Sequence, residues 1–577
     1  MRVNGRTVWA VLESTAAKHP ARTALQQPQG GGKYRSWTWR EYADTVREVA
    51  VALRARGVKK GDMVALAAET RAEFYLADQA AMAAGAVAAA LYTSLPVAEQ
   101  AKALNACGAR VTFVENLKAL QALRDHVSTE QLWILLTGES EDHTTLASLR
   151  VEGQKVLAAD STAFDQIQAE YADADLAVLY MTSGATGEPK MGLVTHRAIV
   201  TNLDMGPHVL PLSPDDATIA FLPSAHIAQR VVVQLLPAHQ GACVWFSESL
   251  SKLPHEMRAI RPTFFLAPPR VWERVFASIT AEIKKRPAPL RKLFYAGVGL
   301  GSEASRLRQQ GKPVPAWMRL ALRFFDRVIF AKIRERLGGK MRVAASGAAP
   351  LGKDLAEFYA AIGMPLIEGY GLTEGGVAAL NPLDRPKSGS IGKLLPGVEA
   401  RLEDDGELMI RSTCLFSGYF NDPAATAAVL RDGWLATGDI AEQDREGYFY
   451  ITGRKKDLIV SSNGKKIYPA RIEAMLKREP LISHVLLIGD RLPYVTALIS
   501  ATAAGAEPAI AAAVKNTNRE LADFERIRKF KIVAREFSIE QGELTPTMKL
   551  RRARVLENHR DLVSEMYAGR DTDAAAV

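Results

Sequence analysis

Six short apolar runs that end in small or polar residues constrain the fold of this chain more than any other feature. They are VALAA from Val64, DLAVLYMT from Asp175, TIAFLP from Thr218, ACVWF from Ala242, TFFLAPP from Thr263 and MRVAASGAA from Met341. Runs of this length without polar alternation read as buried strands of a parallel sheet. Helical patterns lie between them. In SWTWREYADTVREVAVALRARG, Ser36 can cap, apolar residues recur at helical spacing and Gly57 stops the run. Such alternation predicts an α/β fold with helices on both faces of the sheet.

After about Gly389 the texture changes to short alternating segments, EARLEDDGELMIRS and GYFYITG, broken by Asp-Gly and Gly turns. This predicts a small antiparallel or barrel-like region over about 390–453. Beyond it, KKIYPARIEAMLKREP reads as a helix entered through Pro469 and HVLLIGD as a strand, so a smaller α+β part begins near Arg454. The expected organisation is a large domain over 1–453, a hinge at 454–458 and a mobile domain over 459–577.

At 577 residues, 48% of them hydrophobic, the chain can bury several cores. Its longest nearly pure apolar run, Ala80 to Tyr92, is too short to span a bilayer and reads as a buried helix. The N-terminus lacks the apolar stretch of a secretory signal, and Cys107, Cys243 and Cys414 show no spacing suggestive of bridges or zinc. A cytoplasmic protein is expected. The net charge is +9, with 22 Lys and Arg against 16 Asp and Glu from Arg454 onward. That balance reads equally as a solvated basic face or as suited to an anionic partner, such as a nucleotide or an anionic membrane at which the protein sits peripherally. A nucleic acid is not expected, because no recognition motif accompanies the charge. Oligomeric state is left open, a homodimer included.

The segment YMTSGATGEPKMGLVTHR, Tyr180 to Arg197, carries the most chemistry. Gly184 and Gly187 let backbone N–H groups converge on an anion, Thr182, Ser183 and Thr186 offer hydroxyls, and Lys190 supplies a mobile charge. It is not a Walker A loop, since Lys190 follows Pro189, and taken alone it also reads as an ordinary surface loop. IEGYGLTEGG from Ile367 sets Tyr370, Thr373 and Glu374 in a glycine-rich loop, where an aromatic can stack on a base and a carboxylate can hold Mg²⁺. Alone, Glu374 reads equally as a solvated acid. DGWLATGDI contributes Asp439, able to accept from ribose hydroxyls, and GELTPTMKLRR contributes Lys549 on an exposed segment.

In this order the motifs TSGATGEPK, FLPSAHI, SGAAP, YGLTE, DGWLATGD, GRKKD and TPTMK resemble the adenylate-forming, AMP-binding superfamily over nearly the whole chain. FLPSAHIAQR, the long insert between Arg270 and Met341, and ELTPTMKLRR most resemble its long-chain fatty-acyl-CoA synthetase branch. The resemblance implies activation of a fatty acid by ATP to acyl-AMP, followed by acyl transfer to coenzyme A, with Mg²⁺ as cofactor. It gives the β,γ-phosphates to Thr182, Ser183 and the catalytic Thr186 and Lys190, the adenine to Gly347, Ala348 and Ala349 with Tyr370, and ATP binding more generally to Gly184, Ala185, Gly187, Glu368, Gly369, Gly371 and Thr373. Glu374 would hold Mg²⁺, Asp439 and Arg454 the ribose, and Lys549 the reacting carboxylate. His226 would line the acyl pocket, although a lone histidine reads equally as a satisfied polar residue. Lys456 would be the hinge, and Ser462 and Gly464 would border the coenzyme A path. Ala185 replaces a usual hydroxyl and Met191 a usual glycine, which implies tuned ATP affinity with function retained. Rival readings are an aryl-acid or carrier-protein ligase of the same chemistry, and a non-catalytic nucleotide or acyl binder.

Overall fold

The computed structural model describes residues 5–182, 190–462, 464–533 and 535–568, with Thr182 by its backbone alone. They pack as two compact units. The first holds the described residues of 1–182, 189–400 and 410–435, the second those of 401–409 and 436–577.

In the first unit all six apolar runs are strands. Met63–Ala67 pairs in parallel with Val87–Ala90 and with Val111–Val114, and Val87–Ala90 pairs in parallel with Leu176–Thr182. An antiparallel hairpin, Leu176–Thr182 with Lys190–Thr195, and the short strand Gly418–Tyr419 complete one edge of this sheet. Phe264–Ala267, Val343–Ser346 and Leu366–Leu372 form a second parallel set. Cys243–Phe246 lies between Ala217–Ala220 and Thr23–Pro28 in a third. One face of the first sheet is packed by Ala65, Val87, Ala89, Leu179 and Met181 against Leu104 and Cys107. The two-sided burial explains why these strands carry no polar alternation. All three cysteines are free thiols.

Two local expectations fail. The helix Trp39–Ala55 is capped by Thr38, not Ser36: Thr38 Oγ1 accepts from Glu41 N–H at 3.2 Å and Glu41 Oε2 accepts from Thr38 N–H at 2.7 Å. Ser36 instead lies in the strand Tyr34–Thr38, because the reciprocal box needs Glu three residues on and only Thr38 has it. The run Ala80 to Tyr92 is half helix, ending at Ala83, and half strand, Val87–Ala90. An all-apolar run has no periodicity with which to separate the two. No helix among the described residues is long and apolar enough to cross a membrane.

In the second unit residues 439–443 pair antiparallel with Phe449–Arg454. A three-stranded sheet follows, with Ile482–Ile488 antiparallel and Ile527–Val533 parallel to the central Val495–Ala501. Val485 and Leu487 face a core with Ile472 and Ile510, while Leu486 and Ile488 face another with Val555 and Val563. This period-two division is that of a sheet covered on both sides.

Candidate functional site

The first unit gathers three sequence-distant segments at one corner. Lys190 opens the strand Lys190–Thr195, its backbone paired with that of Thr182. Ser183, Gly184, Ala185, Thr186 and Gly187 lie outside the described residues. Gly192 pairs with Tyr419, and a Cβ on Gly192 would lie 3.4 Å from Thr373 Cγ2, so the YGLTE turn packs directly on this strand. That turn joins Leu366–Leu372 to Gly376–Leu380. It is so tight that a Cβ on Gly371 would meet Gly376 O at 2.6 Å, which only glycine avoids.

Tyr419 ties the corner together. Its hydroxyl donates to Glu374 Oε1 at 2.6 Å, and Lys190 Nζ lies 4.7 Å from its ring centroid. Burial, then the neighbouring Glu374 charge, raises the Tyr419 pKa, so the phenol stays protonated and remains the donor. Phe416 N–H also donates to Glu374 O at 2.9 Å. Among the described residues no group of three or more His, Cys, Asp or Glu could hold a metal ion. The half-buried Glu374 carboxylate is of the type that can hold a hard cation such as Mg²⁺, which completes its shell with water and phosphate oxygens.

Gly347, Ala348 and Ala349 follow the strand Val343–Ser346, beside Glu368, Gly369 and Tyr370 of the neighbouring parallel strand. A Cβ on Gly347 would sit 3.8 Å from Gly369 O. Both lie at carboxyl ends of adjacent parallel strands, where open α/β sheets bind ligands. Ala348 has φ 70, a costly conformation for a side-chain-bearing residue and one that concentrates at functional sites. Met191 packs its side chain into the sheet core beside Met181.

The Glu368 side chain turns inward, accepting from Leu351 N–H at 3.0 Å. Burial pushes its carboxyl up to about 8, the Leu351 hydrogen bond opposing this. The folded protein thus holds a proton that the unfolded chain releases above about 4.5, so this group's contribution to stability falls as pH rises from about 4.5 to about 8. Glu368→Gln, which cannot ionise, is expected to flatten the decline of the thermal midpoint between those pH values. Identical slopes for variant and wild type would refute the assignment.

His226, half-buried in the turn after Pro223, accepts from Ala228 N–H through Nδ1 at 3.1 Å. It leads into the π-helix Ala228–Leu235. Sequence reasoning missed what pins that segment. Arg230, fully buried, forms an ion pair with the equally buried Asp78, which also accepts from Gln234 Nε2 at 2.7 Å. It missed Tyr419 as well, whose partners Lys190 and Glu374 are far away in the chain. An aromatic in a Gly-flanked short strand was the only signal.

In the second unit Asp439 and Arg454 are cross-strand partners, with Arg454 Nε 2.8 Å from the buried Asp439 Oδ1. Lys456 is exposed in the one-turn helix Lys455–Asp457. Ser462 donates its N–H to Leu492 O at 3.3 Å and Gly464 to Ser461 O at 2.8 Å. Lys549, exposed, closes a turn with Thr545.

The arrangement defines a class. The model for AMP-binding enzymes matches residues 12–420 and that for the C-terminal domain of AMP-binding enzymes matches 456–571, so the chain belongs to the AMP-binding enzyme family. Among its relatives, the long-chain-fatty-acid–CoA ligase FadD15 of Mycobacterium bovis is 33% identical over 93% of each chain. The long-chain-fatty-acid–CoA ligase ACSBG2 of Xenopus laevis is 26% identical, covering 98% of this chain and 85% of its own. Of solved structures, the adenylation domain of a Mycobacterium chelonae carboxylate reductase superposes with a TM-score of 0.76 at 23% identity, covering 98% of this chain and 92% of its own.

Proposed function

We propose that this chain is an acid–thiol ligase that activates a long-chain fatty acid with ATP and passes the acyl group to coenzyme A. The observation that carries the reading is the corner where Lys190, Tyr419 and Glu374 meet, at the turn that follows the strand Leu366–Leu372 whose Gly369 borders Gly347. The names of the FadD15 and ACSBG2 relatives support the choice of acid and thiol.

A carboxylate oxygen attacks the α-phosphorus of ATP and pyrophosphate leaves, giving a mixed anhydride. The thiol then attacks the acyl carbon and AMP leaves. In this reading the chain aligns the reactants and spreads phosphate charge, needing no covalent nucleophile. Lys190 and the loop before it take the β,γ-phosphates, Tyr370 and the Gly347–Ala349 loop the adenine, and Asp439 with Arg454 the ribose. His226 borders the acyl chain, and Ser462 and Gly464 border the thiol. Mg²⁺ at Glu374 supplies charge neutralisation of the phosphate oxygens when bound. Pyrophosphate release measured across saturated, unsaturated and aromatic acids, with coenzyme A or a carrier protein as thiol, tests the reading. Preference for an aromatic acid or a carrier thiol would overturn the substrate assignment.

The hinge at Lys456, between a domain of 1–453 and a mobile one of 459–577, belongs to the same proposal. Its support is the GRKKD motif, whose second lysine, Lys456, lies exposed in the one-turn helix Lys455–Asp457. Lys456→Pro, which fixes φ and removes a donor, is expected to slow thioester formation more than adenylation. Equal slowing of both steps would exclude a hinge there.

A further inference from the structure

We infer that the surface built by the helices Ala288–Gln309 and Ala316–Phe325 docks on an anionic lipid bilayer. Residues 284–332 hold 12 Lys and Arg against 2 Asp and Glu, a net +10 in a chain whose whole formal charge is +9. Both acids are engaged, Glu303 with Arg306 and Asp326 with Arg334. Among the described residues none of Lys284, Arg291, Lys292, Arg319, Arg323 and Arg327 makes an ion pair, and all are exposed.

The same surface carries three strongly exposed large apolar side chains. Trp317, Leu320 and Phe324 are 63%, 69% and 55% exposed. Their spacing of three and four residues stacks them along one stripe of the helix, with Arg319 and Arg323 alongside. The opposite side is anchored. Met318 is buried, and Gly297 of the neighbouring helix lets Phe325 approach so closely that a Cβ there would lie 2.7 Å from its ring. On that neighbouring helix, Ala288, Arg291, Lys292 and the half-exposed Tyr295 join Lys284 around a surface cavity of about 530 Å³.

Charge decides the occupant. A second copy would bring the same positive surface against itself and be repelled. A nucleic acid would leave the Trp317–Leu320–Phe324 stripe in water. A bilayer satisfies both features, since phosphate headgroups meet the cations while aromatic and aliphatic side chains enter the headgroup–acyl boundary. The site needs no spanning segment. Docking rests on the fatty-acid reading only for its purpose, which would be capture of a membrane-dissolved acid.

Sedimentation of the full chain with vesicles tests this, without substrate. Wild type is expected to bind mixed phosphatidylglycerol–phosphatidylcholine vesicles and to stay free of pure phosphatidylcholine. Arg319→Gln, Arg323→Gln and Arg327→Gln combined should lower partition about 100-fold, at about fivefold per cation. Trp317→Ser, Leu320→Ser and Phe324→Ser combined should also detach the protein, and leave only weak binding that salt abolishes. Inorganic phosphate at the same charge concentration should not displace wild type more than chloride does at equal ionic strength. Both variants should keep pyrophosphate release with acid presented in detergent micelles, so loss of that activity in wild type counts against the ligase reading alone. Wild type that ignores vesicle charge, variants that bind as wild type does, or an apolar variant whose only change is lost self-association would overturn the proposal.

Discussion

Lys549→Ala is expected to remove most acid-dependent pyrophosphate release, about 10²- to 10³-fold in rate, while converting supplied acyl-AMP and coenzyme A to acyl-CoA at near-normal rate. In the first step a carboxylate approaches a phosphate, and a cation bridging the two lowers a barrier set by like charges. In the second step the anhydride already exists and that cation has no comparable task. Main-chain groups of Lys549 and the Thr545 hydroxyl close the turn that carries it. Thr545 N–H donates to Lys549 O at 2.8 Å, Lys549 N–H to Thr545 Oγ1 at 3.0 Å, and Met548 takes φ 63 to close it. Beneath the turn, Glu543 is fully buried. Burial opposes its ionisation, but hydrogen bonds from Arg535, Asn558 and His559 prevail and hold its carboxyl at about 2. The nearby cations are poor substitutes, because Arg552 is held by Glu473 and Arg554 by Glu557. Near-normal pyrophosphate release, or equal loss of both half-reactions in a folded variant, would show that Lys549 is only part of a solvated basic tail.

The parallel strands were legible because burial on both faces writes itself as an uninterrupted apolar run between small or polar residues. All six such runs are strands. Legibility ended where composition lost its period, as in the alanine-rich stretch that holds both the end of one helix and the strand Val87–Ala90. It also ended at the Ser36 cap, where a plausible residue type lay two positions before the one whose partner is three residues on. Within the candidate site, the residues carried by motifs were recognisable one by one, whereas the contact that unites them was not. Lys190 and Glu374 meet through Tyr419 only because Gly418–Tyr419 adds to the strand Lys190–Thr195, a pairing that joins positions more than two hundred residues apart. The Arg230–Asp78 pair was hidden for the same reason. The long insert between Arg270 and Met341 announced a branch of the family, but its outward stripe of Trp317, Leu320 and Phe324 required knowing which helix face the core had already taken.

Glu374→Gln is expected to cut metal-dependent turnover on the order of 10²-fold at limiting Mg²⁺, with partial recovery as Mg²⁺ is raised. The substitution isolates charge from structure. Glutamine keeps an oxygen that can accept from the Tyr419 hydroxyl, and the Phe416 N–H bond uses the main-chain oxygen of residue 374, which is unchanged. The corner should stay folded while losing its anion. Tyr419→Phe supplies the complementary control, removing the donor and leaving the carboxylate. Because the carboxylate and its charge remain in that variant, its Mg²⁺ requirement should shift by less than loss of the carboxylate does. Magnesium titrations of adenylation in wild type and the two variants therefore order the effects: glutamine worst, phenylalanine intermediate. Full activity of Glu374→Gln at limiting Mg²⁺ would remove the cation from this residue, and a phenylalanine variant as impaired as the glutamine one would make Tyr419, not charge at Glu374, the element that organises the corner.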